Sequence, residues 1–268
     1  MRRLLIRPGA IGDFILSLPA MEALRSEYTE VWCAGQNVSL AGFADAAHSI
    51  ISAGLDRLGF LPADDVIEQL RSFDSIVSWY GANRPEFQQL TVEMGLDFQF
   101  LSALPDGKGH AVDFYNNQVR MLGAIPSSRY PTIPCPAVRR SFAAVHPFAS
   151  SVAKRAPMNV FSKAAERLSD HMPVHWLCGP EEELDGAVRI PNLFDLACWL
   201  RGARVFVGND SGISHLAAAV GTPVMAFFRT TDPGVWTPRG SSVSISNVSA
   251  EDASESSPSH CGEVSPAR

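Results

Sequence analysis

Residues 205–228 constrain the fold more than any other stretch, because they encode two apolar strands with a helix between them. A short β-prone run begins at Val205 and stops at Gly208. The polar loop at 209–212 is rich in residues that begin helices. A loop of small residues between a strand and a helix presents unpaired amides that suit a phosphate. An ordinary helix-capping loop has the same sequence pattern, so both interpretations stay open here.

Strand-like and helix-like segments alternate along most of the chain. A strand at 3–7 leads through a tight turn into a helix that opens at Asp13, and a second strand-first unit begins at Phe142. Further strands are predicted at 30–33, 48–51, 75–80, 98–101 and 174–178, and helices at 64–72, 113–122, 159–168 and 194–200. This alternation indicates parallel sheets wrapped by helices, which is an α/β fold.

Prolines concentrate between residues 126 and 136, which favours a stiff, extended linker between two domains. We therefore predict an N-terminal Rossmann-like domain over residues 1–137 and a C-terminal one over residues 138–240. Residues 241–268 are rich in serine and net acidic. We expect a poorly ordered tail there, apart from an edge strand near 242–246.

Composition and motifs exclude several classes of function. The net charge of −6 offers no general surface for nucleic acid. The turn before Asp13 carries only G-x-x-G, so the fingerprint of nicotinamide dehydrogenases is absent. The five cysteines have no CxxC spacing. They indicate free thiols in a reducing cytosol, not disulfides or a zinc site.

Four charged residues follow predicted strands, at the edge where open parallel sheets expose ligand-binding groups. Asp13 follows the first strand, although a helix cap would place an aspartate there too. Lys154 lies in a serine-rich loop and can pair with a diphosphate, or remain a solvated surface lysine. Glu181 and Glu182 can bind ribose hydroxyls or simply place charge at a helix N-terminus.

Three motifs together resemble the bacterial lipopolysaccharide heptosyltransferases, which form glycosyltransferase family 9. The motifs are Ile6-Arg7 with Gly12-Asp13; His146-Pro147 with Ser150, Lys154 and Pro157; and NDSGISHLAAA at 209–219 with Gly221-Thr222-Pro223, residues 230–233, Trp236 and Pro238. They cover roughly residues 1–27 and 145–240 in the family's order. Jointly they are much more specific than any one of them.

The resemblance implies a GT-B architecture, in which two Rossmann-like domains face each other across a cleft. It implies inverting transfer of a sugar, typically heptose, from an ADP-sugar to a lipopolysaccharide-core or other glycan acceptor. It implies a reaction that requires no metal and a protein that binds no nucleic acid. It also implies a cytoplasmic protein that can lie peripherally at the inner membrane. By the same resemblance, Asp13 is the general base that activates the acceptor hydroxyl.

The resemblance also assigns residues to the donor. The residues that would hold its diphosphate are Ser150, Lys154, Ser211 and Gly212. Asp210 and His215 would shape that loop, Gly12 would form the turn before the base, and Glu181 or Glu182 would lie near the ribose. A second hypothesis is a non-catalytic or degenerate nucleotide-sugar-binding relative, which the short N-terminal domain and the polar tail favour.

Overall fold

The computed structural model describes residues 1–58 and 63–248, which form two separate five-stranded parallel sheets. The first sheet contains β1 (Arg2–Arg7), β2 (Tyr28–Cys33), β3 (Ala46–Ser49), β4 (Ser75–Ser78) and β5 (Phe98–Phe100), in the order β3-β2-β1-β4-β5. The second contains β6 (Phe142–His146), β7 (Val174–Trp176), β8 (Ala203–Asn209), β9 (Val224–Phe228) and β10 (Val243–Asn247), in the order β10-β9-β8-β6-β7. The predicted α/β class with two Rossmann-like sheets is confirmed.

Helices connect the strands in both halves. They are α1 (Ile11–Ala23), α2 (Asp64–Arg71), α3 (Pro85–Glu93), α4 (Ala111–Met121), α5 (Met158–Ser169), α6 (Leu193–Arg201), α7 (Gly212–Ala219) and α8 (Pro233–Trp236). The sequence pattern did not predict α3, which buries only Thr91 and so lacks a clear apolar stripe. Helix α1 begins at Ile11, so Asp13 lies inside its first turn and does not open the helix.

The order of the strands reverses at one point in each sheet. In the first sheet this point lies between β1 and β4, and in the second it lies between β6 and β8. Open parallel sheets bind ligands at such points, beyond the carboxyl ends of the strands. The loop after β1, which leads to Asp13, and the loops after β6 and β8 therefore occupy the positions expected of a binding site.

One apolar cluster runs through both halves of the molecule. It includes Phe14 of α1 and Val119 of α4 from the first half, together with Leu200 of α6 and Leu216 of α7 from the second. The outer faces of the two sheets pack against separate clusters, which contain α2 and α5 respectively. The two sheets are thus distinct, but the helices between them bury a common core.

A polar clamp at the start of α4 also joins the two halves. His110 donates from Nε2 to the Thr237 carbonyl at 2.8 Å. The Asp113 carboxylate accepts hydrogen bonds from two arginines. Arg239 donates to Oδ1 at 3.0 Å, and Arg129 donates to Oδ2 at 3.0 Å. These bonds, first of all those from Arg239, hold the pKa of Asp113 well below its usual range. Asp113 is therefore ionised wherever the protein is folded at neutral pH.

The proline-rich segment is extended and docks on the second half. No helix or strand occurs between α4 and β6, and the Ile133 amide donates to the Ala219 carbonyl at 3.0 Å. A cavity of about 470 Å³ lies between this segment and the end of α7. The domain boundary after residue 137 stays a prediction. β10 carries the second sheet past residue 240 into the predicted tail, and residues 249–268 of that tail lie outside the described residues.

Two further observations concern cysteines and membrane-spanning helices. Cys33, Cys135, Cys178 and Cys198 are free thiols, and Cys261 lies outside the described residues. Across residues 1–58 and 63–248, no helix is both long enough and apolar enough to cross a bilayer.

Replacing Asp113 by Asn should destabilise the protein by about 1–2 kcal/mol, because two charge-assisted contacts of a partly exposed carboxylate are lost. The folded state lowers the pKa of Asp113, so its contribution to stability is present above the unfolded pKa of about 3.9 and fades as the pH falls. Urea denaturation at pH 7 and at pH 3.5 measures both effects. Asp65→Asn is the control, because Asp65 forms an exposed pair with Arg57 within one half. Equal losses in the two variants would contradict the clamp.

Candidate active site

The N-terminal ends of α1 and α7 meet at a pair of glycines. A Cβ placed on Gly212 would lie 2.7 Å from Ile11 Cβ and 3.2 Å from the Gly12 nitrogen. A Cβ placed on Gly12 would lie 3.0 Å from His215 Cδ2. The 2.7 Å distance is too short for any larger residue at Gly212, and the 3.0 Å distance requires the His215 ring to shift before a larger residue fits at Gly12. Glycine at the two positions therefore lets the two helix ends touch. Each end carries the partial positive charge of a helix N-terminus.

No side chain caps α7. Ser211 occupies the capping position, but its Oγ is buried and has no hydrogen-bond partner among the described residues. The amides of Ser214 and His215 bond to the Ser211 carbonyl at 3.1 and 3.4 Å, whereas those of Gly212 and Ile213 have no partner in the described chain. The ordinary capping loop is therefore the wrong interpretation of this segment. Free amides at a helix N-terminus are chemically suited to bind an anion.

The carboxylate of Asp210 binds two other side chains instead of the helix. Its Oδ2 accepts from Lys154 Nζ at 3.0 Å and from Thr231 Oγ1 at 2.6 Å. His215 Nε2 lies 4.0 Å from the other oxygen, Oδ1. Burial lowers the pKa of His215 to about 4, against the opposing effect of Asp210, so the imidazole is neutral at pH 7. The positive partner of the buried carboxylate is therefore Lys154.

A cleft of about 550 Å³ opens beside these helix ends and is lined by both halves of the molecule. Of the predicted site residues, the structure brings six to its wall: Gly12, Ser150, Glu181, Glu182, Ser211 and Gly212. The other four, Asp13, Lys154, Asp210 and His215, do not line this cleft. Each of the four nevertheless lies within two residues, along the sequence, of a residue that lines the cleft.

The carboxylate of Glu182 is fixed at one oxygen and free at the other. Oε2 accepts from His146 Nε2 at 3.0 Å and from the Gly179 amide at 2.6 Å. Burial raises the pKa of Glu182, but these hydrogen bonds and the charge of Arg155 outweigh it, and the pKa lies below its usual value. Oε1 has no hydrogen-bond partner in the described part of the chain. An ionised, oriented carboxylate on a cleft wall is suited to accept hydrogen bonds from a ligand's hydroxyls.

Asp13 is half-buried in the first turn of α1. Its Oδ2 accepts from the Ala10 amide at 3.3 Å, so the carboxylate does cap its helix. Beneath it, the guanidinium of Arg7 donates to the Asp13 backbone carbonyl at 3.1 Å and to Tyr115 Oη at 3.0 Å. Arg7 is only 1% exposed and fixes the turn from below. Oδ1 of Asp13 has no hydrogen-bond partner in the described residues.

The sequence interpretation assigned no role to three residues that shape this site, although Arg7 and Thr231 fall within the quoted motifs. Thr231 holds Asp210, and Arg7 supports the turn that carries Asp13. The sequence did contain a signal for Arg7, because an arginine directly after three apolar strand residues is unusual and indicates a buried partner. Arg155 lines the cleft, and its position directly after Lys154 was the only hint. Among the described residues, no group of His, Cys, Asp and Glu side chains is arranged to hold a metal ion.

Comparisons with known proteins bear on the family and the fold. The sequence profile of glycosyltransferase family 9 (heptosyltransferase) matches residues 110–263. No curated protein sequence matches the chain closely enough to count as a relative.

Solved structures match at low sequence identity. A family 9 glycosyl transferase from Veillonella parvula gives a TM-score of 0.73 at 15% identity, covering 92% of this chain and 86% of the other. The E. coli heptosyltransferase WaaC with ADP gives 0.70 at 17% identity, covering 95% of both chains. The E. coli ADP-heptose LPS heptosyltransferase II gives 0.70 at 16% identity, covering 96% and 95%. At these identities the matches show a shared fold.

Replacing Gly212 by Ala should destabilise the protein by about 1–3 kcal/mol, the usual cost of overpacking. The new Cβ would overlap Ile11 Cβ, which no side-chain rotation can move, so the two helix ends must separate. Gly42→Ala is the matched control, because a Cβ there meets nothing within 4 Å. Urea denaturation of both variants measures the difference. A Gly212→Ala protein as stable as Gly42→Ala would show that the two helix ends are not in tight contact.

Proposed function

The chain belongs to glycosyltransferase family 9, and from that premise we propose that it transfers a sugar, heptose in particular, from an ADP-sugar to a glycan acceptor. The observation that carries the proposal is the uncapped N-terminus of α7 on the wall of a cleft lined by both halves. Free amides at a helix end favour a phosphate group, and they help a diphosphate to leave by stabilising its charge. The ADP and ADP-heptose named for the E. coli neighbours fit this donor class.

The proposed donor lies along the second half of the cleft. Its diphosphate contacts Ser150, Ser211 and the free amides of Gly212 and Ile213, with Lys154 behind them. Asp210 holds the Lys154 ammonium in place through its contact at 3.0 Å. His215 fills the space between α7 and the turn at Gly12. The cation and the helix amides together neutralise the leaving group, so the proposed mechanism requires no metal.

The nucleoside is proposed to lie toward the loop after β7. His146 and the Gly179 amide hold Oε2 of Glu182, so its other oxygen, Oε1, is free to accept hydrogen bonds from the ribose hydroxyls. Glu181 lines the same wall. This arrangement puts the ribose near the carboxylates and the diphosphate near α7, so the sugar points toward the first half.

Asp13 is proposed to act as the general base. The acceptor hydroxyl attacks the anomeric carbon of the donor sugar, the bond from that carbon to the diphosphate oxygen breaks, and ADP leaves. The proton of the hydroxyl passes to the Asp13 carboxylate. Attack from the side opposite the diphosphate inverts the configuration of the sugar. The acceptor, a lipopolysaccharide core or another glycan presented at the inner membrane face, would approach from the first half.

Replacing Asp13 by Asn should reduce transfer by ~10²–10⁴-fold, the usual contribution of a general base. The amide keeps the size of the side chain and an oxygen that can still accept from the Ala10 amide, so the fold and ADP binding should persist. The assay measures release of ADP from ADP-heptose in the presence of lipopolysaccharide-core acceptors, and calorimetry measures ADP affinity.

Asp64→Asn is the control for this experiment, because Asp64 also lies in the first turn of a helix but belongs to α2 on the far side of the first sheet. It should retain wild-type transfer. Transfer near the wild-type rate in Asp13→Asn would mean that Asp13 serves only as a helix cap. A wild-type protein that binds ADP but transfers nothing from any nucleotide sugar would contradict the proposed reaction.

A further inference from the structure

Two adjacent basic residues in the loop after β6 take up different positions. Lys154 reaches Asp210, next to the start of α7. Arg155 turns to the opposite side, where its Nε donates to the Ala149 carbonyl at 3.0 Å and its guanidinium lies 5.5 Å from the centre of the Phe148 ring. Only Arg155 lines the cleft.

The charges of these two residues are balanced differently. The ammonium of Lys154 forms an ion pair with Asp210, whose side chain is only 4% exposed. Arg155 forms no ion pair in the described part of the chain, and neither of its terminal nitrogens has a hydrogen-bond partner there. Its guanidinium therefore presents unshared donors to the cleft, in the geometry that matches a phosphate group.

The backbone around Arg155 holds this side chain in place. Its own carbonyl accepts from Arg229 Nη1 at 2.8 Å, and the bond to Ala149 fixes the inner edge of the guanidinium. Arg155 and Glu182 line the same cleft. Ser150 lies in the same loop and lines the same wall.

We propose that Arg155 binds the phosphate next to the nucleoside of the donor. This inference rests on the proposed function, which puts the ribose at Glu182 and the diphosphate between Ser150 and α7. A cation that neighbours both Glu182 and Ser150 lies where the α-phosphate joins the ribose. Lys154 and the α7 amides then serve the outer phosphate, which bears the sugar.

The test compares the binding of adenosine, AMP and ADP to the wild type and to Arg155→Gln by calorimetry. The variant should lower the affinities for AMP and ADP by the same factor, about 10- to 100-fold, because one charge-assisted contact is lost from both. Adenosine affinity should stay within about twofold, because adenosine has no phosphate for the guanidinium to bind. Arg155→Lys keeps the charge but not the paired donors, and should lose about three- to tenfold for both nucleotides.

Arg167→Gln is the control, since it removes an equal charge from an exposed arginine in the last turn of α5 that does not line the cleft. It should leave all three affinities nearly unchanged. Equal losses in Arg155→Gln and Arg167→Gln, a loss confined to ADP, or unchanged AMP binding in both Arg155 variants would overturn the inference and leave the proposed function standing. A wild type that binds no adenine nucleotide would contradict the proposed function itself.

Discussion

The contact between Gly12 and Gly212 determines how the two halves of this protein meet. Neither residue has a side chain, and that absence lets α1 and α7 touch end to end. The apolar cluster of the same two helices continues behind the contact, so the joint is also the place where the halves share a core. Because each helix follows a strand at the switch point of its own sheet, the contact brings the binding edges of both sheets to a single cleft.

This joint has an electrostatic consequence. Two helix N-termini carry partial charges of the same sign, so bringing them together is unfavourable unless negative charge lies nearby. Asp13 supplies it in the first turn of α1, where its carboxylate accepts from the Ala10 amide, whereas the charge of Asp210 is balanced by Lys154. The amides of Gly212 and Ile213 stay open to the cleft. The proposed function puts the departing diphosphate beside these amides, where the N-terminus of α7 would stabilise its negative charge.

Sequence patterns predicted the sheets well and the site in part. The buried runs at β6 and β9 predicted their strands directly, whereas Ser150 and Gly212, which both line the cleft, were assigned to the donor by the family resemblance. Side-chain directions were not accessible, because neighbouring residues of an irregular loop have no fixed period. The sequence therefore could not predict that Lys154 binds Asp210 while the adjacent Arg155 binds the Ala149 carbonyl. The contact across the chain between two glycines leaves no signal in local periodicity, and neither does the ion pair between Lys154 and Asp210, which are 56 residues apart.

A crystal structure of the protein with ADP tests the central claim most directly, because it locates the diphosphate relative to the joint of the two helices. The proposed site predicts diphosphate oxygens about 3 Å from the amide nitrogens of Gly212 and Ile213, with the ribose beside Glu182. ADP bound elsewhere, for example in the cavity between the proline-rich segment and the end of α7, would contradict it.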